Sequence, residues 1–484
     1  MRHRWLRIVG ALCAVVIAVS LATADDFTDG VAAFRAGDYA AAVAAFEKVT
    51  ASSPKSAEAW LWLGSSQLRA KGVDEAIATL TKAAELDPAS ADIHNNLGNA
   101  LLAKGDPAQA IACYQKALSL APEMTDARYN LGNARLAAGD LEGAMKEYRT
   151  VIAADPKHAP AHDNLGVALQ RKGDLAGALE EYRAAVRLQP NNGEFQLNLG
   201  LAARSAGRLE EAGAALEVAT QADPSLYLAH LNRGLVSLER GQAEAAAASF
   251  RRAAEIQPGD FAANYNLGLA LSRLEKYDEA VAAYQEALKV KSVDPRALSN
   301  LGAVYLAQGK VDEAVAVLET AARVAPAFPL AHQNLAVAYM RKGEEEKAAD
   351  QWERMAKVAP NDPAAQEALA DYHFRRGDYD AAQAHYLELL KVRPEHLGAL
   401  NNIGLIHYRR GELALAAEVF ARALAIDPKY ALAHNNLGIV LEAQGKRQEA
   451  VAHYRRALDV NPDYQDARHN LERLQPGSPN QAPG

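Results

Sequence analysis

Residues 91–124 read ADIHNNLGNALLAKGDPAQAIACYQKALSLAPEM and hold two segments parted by Gly105 and closed by Pro122. Apolar residues recur on one helical face in each segment, which predicts two amphipathic helices of about 12–14 residues. Gly105 stands where a helix end takes up a left-handed backbone, and an acid follows it at the next helix start. Pro122 ends the second helix because it cannot continue the hydrogen-bond ladder. The same 34 residues recur on both sides. Counted from residue 23, thirteen units end at Tyr464 without an insertion or deletion. Position 20 is Ala in all thirteen, from Ala42 to Ala450. Position 32 is Pro in twelve, Ser292 being the exception, and position 8 is Gly in eleven, replaced only by Ala336 and Ala370. Small residues at positions 8 and 20 let paired helices approach closely. Large residues at position 24, such as Phe46, Tyr114, Tyr284 and Trp352, are expected to fill the space between repeats.

This small-large-small pattern resembles the tetratricopeptide repeat (TPR) family over residues 23–464. The resemblance implies an all-α fold, a right-handed superhelical α-solenoid with first helices lining a concave groove and second helices facing outward. Residues 25–464 are expected to form the thirteen repeats, the first one truncated by cleavage of a signal peptide over 1–24. Residues 465–475 are expected to be a capping helix with a polar outer face, and 476–484 a disordered tail rich in Pro, Gly and Ser.

The leader expectation rests on Arg2, Arg4 and Arg7, the apolar stretch from Ile8 to Leu21, and the small residues Ala22 and Ala24 before Asp25. Fourteen residues are short for a membrane span, which needs about 20. Export, most simply to the periplasm or cell envelope, is the expected localisation, with membrane attachment only if the leader is kept. Across 484 residues, 52 Lys and Arg face 60 Asp and Glu, a net charge of −8, which argues against a nucleic-acid partner. With only Cys13 and Cys113, no disulfide framework or Cys-based zinc site is available.

The groove is where function is expected. Position 6 is Asn in Asn96, Asn130, Asn164, Asn198, Asn232, Asn266, Asn300, Asn334, Asn402, Asn436 and Asn470. An Asn side chain can donate to and accept from a peptide unit. Helices about 10 Å apart would meet an extended chain rising about 3.3 Å per residue at every third residue. Such a ladder is similar to that in the repeats of protein O-GlcNAc transferases; the alternative is that these amides fix contacts between repeats. A second feature runs through the tenth to twelfth repeats. Arg341, Arg375 and Arg409 share position 13, beside Met340, Phe374 and Tyr408 at position 12. Stacked once per repeat, they would make a basic stripe beside an apolar one, suited to an acidic-aromatic segment. Dipole complementation at the helix ends accounts for the Arg but not for the aromatics.

Catalytic signals are weak. Five His occupy position 4 and recur about 10 Å apart, too far to share a metal ion. His158 and His162 lack a third ligand, and acids such as Glu180, Glu181, Glu344, Glu345 and Glu346 read as solvated faces. No cofactor and no metal is expected, and the repeats leave no room for a catalytic domain. The chain is therefore expected to be a non-enzymatic scaffold for extended or partly disordered protein segments, serving assembly of an envelope, secretion or surface complex. The alternative is an accessory repeat subunit of a glycosyltransferase or polysaccharide-export system, with catalysis on another chain.

Overall fold

A computed structural model of the chain describes residues 25–474, all helices and turns. The first helix runs over 25–36, and hairpins follow in regular order, such as Ala57–Arg69 with Val73–Leu86 and Ala91–Lys104 with Pro107–Leu120. The last pair is Ala431–Ala443 with Arg447–Val460, and Gln465–Arg473 closes the series. The expected signal peptide over 1–24 and the expected tail over 476–484 lie outside the described residues. The chain divides into two units after Gln242, between the helices Tyr227–Glu239 and Ala243–Ile256.

Positions 8 and 20 act as anticipated, whereas position 24 packs against position 8 of its own repeat and so fills the hairpin, not the space between repeats. All thirteen Ala at position 20 are fully buried, and the position 24 side chains fill the hairpin interior. A Cβ added at Gly98 would lie 2.6 Å from Tyr114 Cε1, so glycine at position 8 makes room for the ring. Trp352 faces Ala336 instead and is only half-buried. Position 15 takes positive φ in every repeat but is not always Gly: Lys71 (φ 68) and Glu275 (φ 58) adopt it too. Asp106, Asp140 and Asp174 then accept from backbone N–H groups three residues on, capping the second helices.

Position 4 has a role beyond packing. Its polar side chain donates to the carbonyl of the proline six residues earlier: His94 to Pro88 (3.1 Å), Gln196 to Pro190 (2.7 Å) and His434 to Pro428 (3.0 Å). That carbonyl lies past the helix end, where no intrahelical donor reaches it. The two repeats with Leu at position 4 are telling. Leu298 follows Ser292, which replaces the proline, and at Leu400 the Pro394 carbonyl accepts from Arg422 instead.

Each unit is a stack of hairpins. Within each unit a first helix packs against its own second helix and the preceding one, and most first helices of successive repeats also touch one another. Successive second helices do not pack together in this way, so the first helices form the inner face of each unit. Contact between neighbouring first helices becomes sparse among Pro329–Lys342, Pro363–Arg376 and Leu397–Arg409, the stretch carrying Ala336, Ala370 and Trp352.

Candidate binding surface on the first helices

Cavities open on this inner face in both units. One of 530 Å³ is walled by Leu61, Trp62, Ser65 and Asn96. Another, of 480 Å³, is walled by Asn401, Asn402, Asn435, Asn436 and Asn470. A smaller one, of 230 Å³, includes Asn300. The position 6 residues thus reach the surface that an extended ligand would meet.

The amides of those residues are already engaged. Each of these Asn spends an N–H inside the protein, in most cases on a bond set by position 5 of the preceding repeat. Where that position carries an acceptor, the bond crosses between repeats: Asn130 donates to Asn95 (3.1 Å), Asn164 to the Tyr129 hydroxyl (2.9 Å) and Asn300 to the Tyr265 hydroxyl (3.1 Å). Asn436 donates to Asn401 (2.8 Å), and Asn334 to the Ser299 backbone carbonyl (3.2 Å). Where position 5 is Leu61 or Leu197, the amide turns back on its own helix, as in Asn96 to Asp92 O and Asn232 to Leu228 O. Asn266 also turns back, to Ala262 O, while Asn402 donates to the Tyr386 hydroxyl. The ladder therefore ties repeats together; Asn164 spends its amide on two acceptors, the Tyr129 hydroxyl and Asn133 Oδ1 (both 2.9 Å), while amides with a single acceptor, such as Asn96 and Asn130, keep a second N–H for a ligand.

Asn198 meets the most unusual partner. Its amide lies 3.1 and 3.0 Å from the two carboxylate oxygens of Asp163, which is only 6% exposed. Burial pushes the Asp163 carboxyl up to about 6; the Asn198 amide opposes that shift and Glu194 adds to it.

The Arg stripe divides. Arg341 donates to the Leu306 carbonyl, the end of the preceding first helix. Arg375 is exposed and lies 3.6 Å from Glu345, and the Arg409 guanidinium rests 5.7 Å from the Tyr379 ring centre. Met340 is 43% exposed, whereas Phe374 packs edge-on to Tyr379 and Tyr386, and Tyr408 lies against the same cluster.

Several acids expected to be solvated are paired. Glu345 faces Arg375, Glu346 faces Arg376 (2.7 Å), and Glu181 bonds His162 (2.7 Å). Sequence reasoning missed the rule behind the first kind. A basic residue at position 14 reaches the acid at position 18 of the preceding repeat, as in Lys104–Asp74, Lys172–Glu142, Lys342–Asp312 and Arg410–Asp380. The signal was present: where position 14 is Ala138 or Ala206, position 18 is Ala108 or Ala176. These pairs are exposed at the edge of the stack, so each contributes little to stability.

His158 caps the Ala161 N–H, and His162 spans Pro156 O and Glu181, so both rings are occupied. Among the described residues no three His, Cys, Asp or Glu gather as metal ligands. His434 and His453 face each other through Nδ1 atoms 3.0 Å apart. Burial, with help from His434 and Arg456, pushes His453 down to about 4.

Tetratricopeptide repeat models match residues 27–91, 95–159, 164–227, 225–261, 265–323 and 367–431, with further matches over 305–372 and 431–464. The chain belongs to the tetratricopeptide repeat family, and its fold is an α-solenoid of those repeats. All of these matches are to the repeat itself. No curated protein matches the chain. Among solved structures it is similar to the protein of a functional characterisation of Pseudomonas aeruginosa pilF. That similarity is 21% identity over 43% of this chain and 94% of that one, with TM-score 0.40. It is also similar to the Cut9–Hcn1 hetero-tetramer of the APC/C, at 16% identity over 92% and 95%, TM-score 0.36. A third is YrrB, a TPR protein described with an unusual peptide-binding site, at 27% identity over 38% and 95%, TM-score 0.33.

Proposed function

We propose that this chain is a non-enzymatic scaffold holding extended segments of other proteins along the inner face of its first helices. The observation that carries this is the occurrence in both units of a cavity on that face walled by position 2, 5, 6 and 9 residues. A polar wall with amide N–H groups left over, as at Asn96 and Asn130, suits a peptide backbone and makes little demand on sequence. In the tenth to twelfth repeats, exposed Arg375 and Arg409 favour an acidic-aromatic segment. Arg341 belongs to the scaffold rather than to this surface, because its guanidinium is held by Leu306 O. The basic and apolar character of residues 1–24 supports export to the periplasm or envelope, where such a scaffold would assist assembly of an envelope, secretion or surface complex.

Charge reversal tests the stripe. Arg375→Glu with Arg409→Glu is expected to abolish capture of the partner in crosslinking pulldown from native cells, with the helical circular-dichroism signal unchanged. Undiminished capture would remove the stripe from the binding surface.

A further inference from the structure

The 530 Å³ cavity near the start of the described chain differs from the rest of the inner face. Position 6 there is not Asn but Trp62. The indole packs edge-on to Phe34 (centroids 5.3 Å apart) and stacks on Phe46 (5.8 Å), so one side of the ring is fixed by the core. Its neighbours in the wall are Leu61, Phe34 and Ile93. Three carboxylates, Glu58, Asp87 and Asp92, stand around this apolar floor, and no Lys, Arg or His lines it. Asp87 accepts from the Ala89 N–H, but Glu58 and Asp92 are exposed and form no ion pair among the described residues. Elsewhere in the stack, acids such as Asp74 and Glu142 are matched with a cation from the next repeat. Here the negative charge is left for something outside the chain.

We infer that this cavity receives a Lys or Arg side chain of an extended partner segment, with the cation beside Glu58 and Asp92 and over Trp62. An aliphatic neighbour of that residue would lie against Leu61 and Phe34. The inference rests on the groove reading and deepens it, assigning this end a charge preference opposite to that of the Arg stripe. Three physical points support it. A cation over an indole face gains from the ring quadrupole, most strongly when partly desolvated. A volume of 530 Å³ lies within the range of binding pockets and accommodates more than one side chain. Because Leu61 offers no acceptor, the Asn96 amide bonds Asp92 O while Ser65 donates to its carbonyl, so the polar rim is held in place before any ligand arrives.

The test uses the full chain and a short fluorescent peptide alternating Lys and Leu, compared with its Glu and Leu counterpart. The native protein is expected to bind the Lys peptide at least about tenfold more tightly than the Glu peptide, and the difference should shrink with added salt. Glu58→Lys with Asp92→Lys should erase that preference. Trp62→Asn, which installs the residue most other repeats carry, should weaken binding while the circular-dichroism signal stays native. Benzoylphenylalanine placed at Leu61 should crosslink the Lys peptide. Equal affinity of the charge-reversed and native proteins, or a preference for the Glu peptide, overturns the assignment of this cavity. Crosslinking from Asn130 but not from Leu61 overturns the cavity while sparing the groove. Peptide that binds yet crosslinks from neither position, nor from Asn300 or Asn436, sinks the groove reading itself.

Discussion

The cavity around Trp62, at the start of the first unit, and the cavity around Asn436, at the end of the second, are lined by equivalent repeat positions, and much of what differs comes from positions 2, 5 and 6. Around Trp62 these positions supply Glu58, Leu61, Trp62, Asp92 and Asn96, giving an acidic rim over an aromatic floor. Around Asn436 they supply mainly amides bonded to one another, Asn401, Asn402, Asn435, Asn436 and Asn470, with Asp466 and His469 at one end. The backbone is shared and the chemistry is not. The solenoid fixes where a ligand can lie, and three side chains per repeat decide what it can be.

Behind the two walls stand position 8 glycines with different neighbours, and the largest expected effect lies there. A Cβ at Gly438 would lie 2.6 Å from Tyr454 Cε1, in a fully buried ring whose hydroxyl is held by Glu442 (3.1 Å). A Cβ at Gly64 would lie 2.6 Å from Leu80 Cγ, in a side chain that can change rotamer. Gly438→Ala is therefore expected to destabilise by about 2–3 kcal/mol and Gly64→Ala by about 1, after the gain in helix propensity is included. Urea unfolding of the two variants checks the difference. Equal losses would mean that the ring is no more rigid an obstacle than the leucine. Ala370 shows how the fold adapts: Tyr386 stays buried beside it, and the first helices there touch their neighbours less.

Nearly all of the backbone was legible in the sequence, because positions 8, 15, 20 and 32 each answer to a local geometric demand repeated thirteen times. Lys71 and Glu275 show that the demand survives even where the preferred residue is missing. The binding surface was legible only in part. Asn at position 6 was plain to see, but where its amide points is set by a residue 35 positions earlier, as with Asn130 and Asn95 or Asn436 and Asn401. Arg341, Arg375 and Arg409 look alike in the chain, yet only Arg341 finds a backbone carbonyl within reach. Trp62 escaped notice because it breaks a pattern instead of extending one. Its meaning depends on Phe34 and Phe46 closing one face of the indole and on acids left unpaired around it.

The second effect turns a charged contact of the first unit into a neutral one like that of the second. Asp163 and Asn198 stand in the same relation as Asn401 and Asn436, but Asp163 carries a buried charge without a cation. Its folded pKa, about 6, lies above the usual carboxylate value near 3.9, so the folded state holds the proton more tightly than the unfolded chain. Stability from this group is complete below about pH 4 and is lost as the pH rises through about 6. Asp163→Asn is expected to raise stability by the order of 2 kcal/mol above about pH 7, with the gain vanishing near pH 4. Denaturation at several pH values checks it. A gain of the same size at both ends of the range would show that charge is not the cause.

The smallest effect separates the two cavities by their amides alone. Asn436 is buried and its N–H satisfies Asn401 Oδ1, itself only 3% exposed. Removing it in Asn436→Ala leaves a buried acceptor unpaired, which costs about 1–2 kcal/mol. Asn96 donates only to Asp92 O, a helix carbonyl, and accepts a 3.3 Å bond from Ser65 at the half-buried surface. Asn96→Ala therefore leaves nothing buried without a partner, and its loss is expected to be a few tenths of a kcal/mol. If both substitutions cost the same, the amides would be acting through packing, and the cross-repeat bonds could not be what holds the wall around Asn436. A large gap would mean that the Asn436 wall is built to stay as it is. The wall around Trp62, with its carboxylates unpaired over a rim already held in place, would then be the one left open to a ligand.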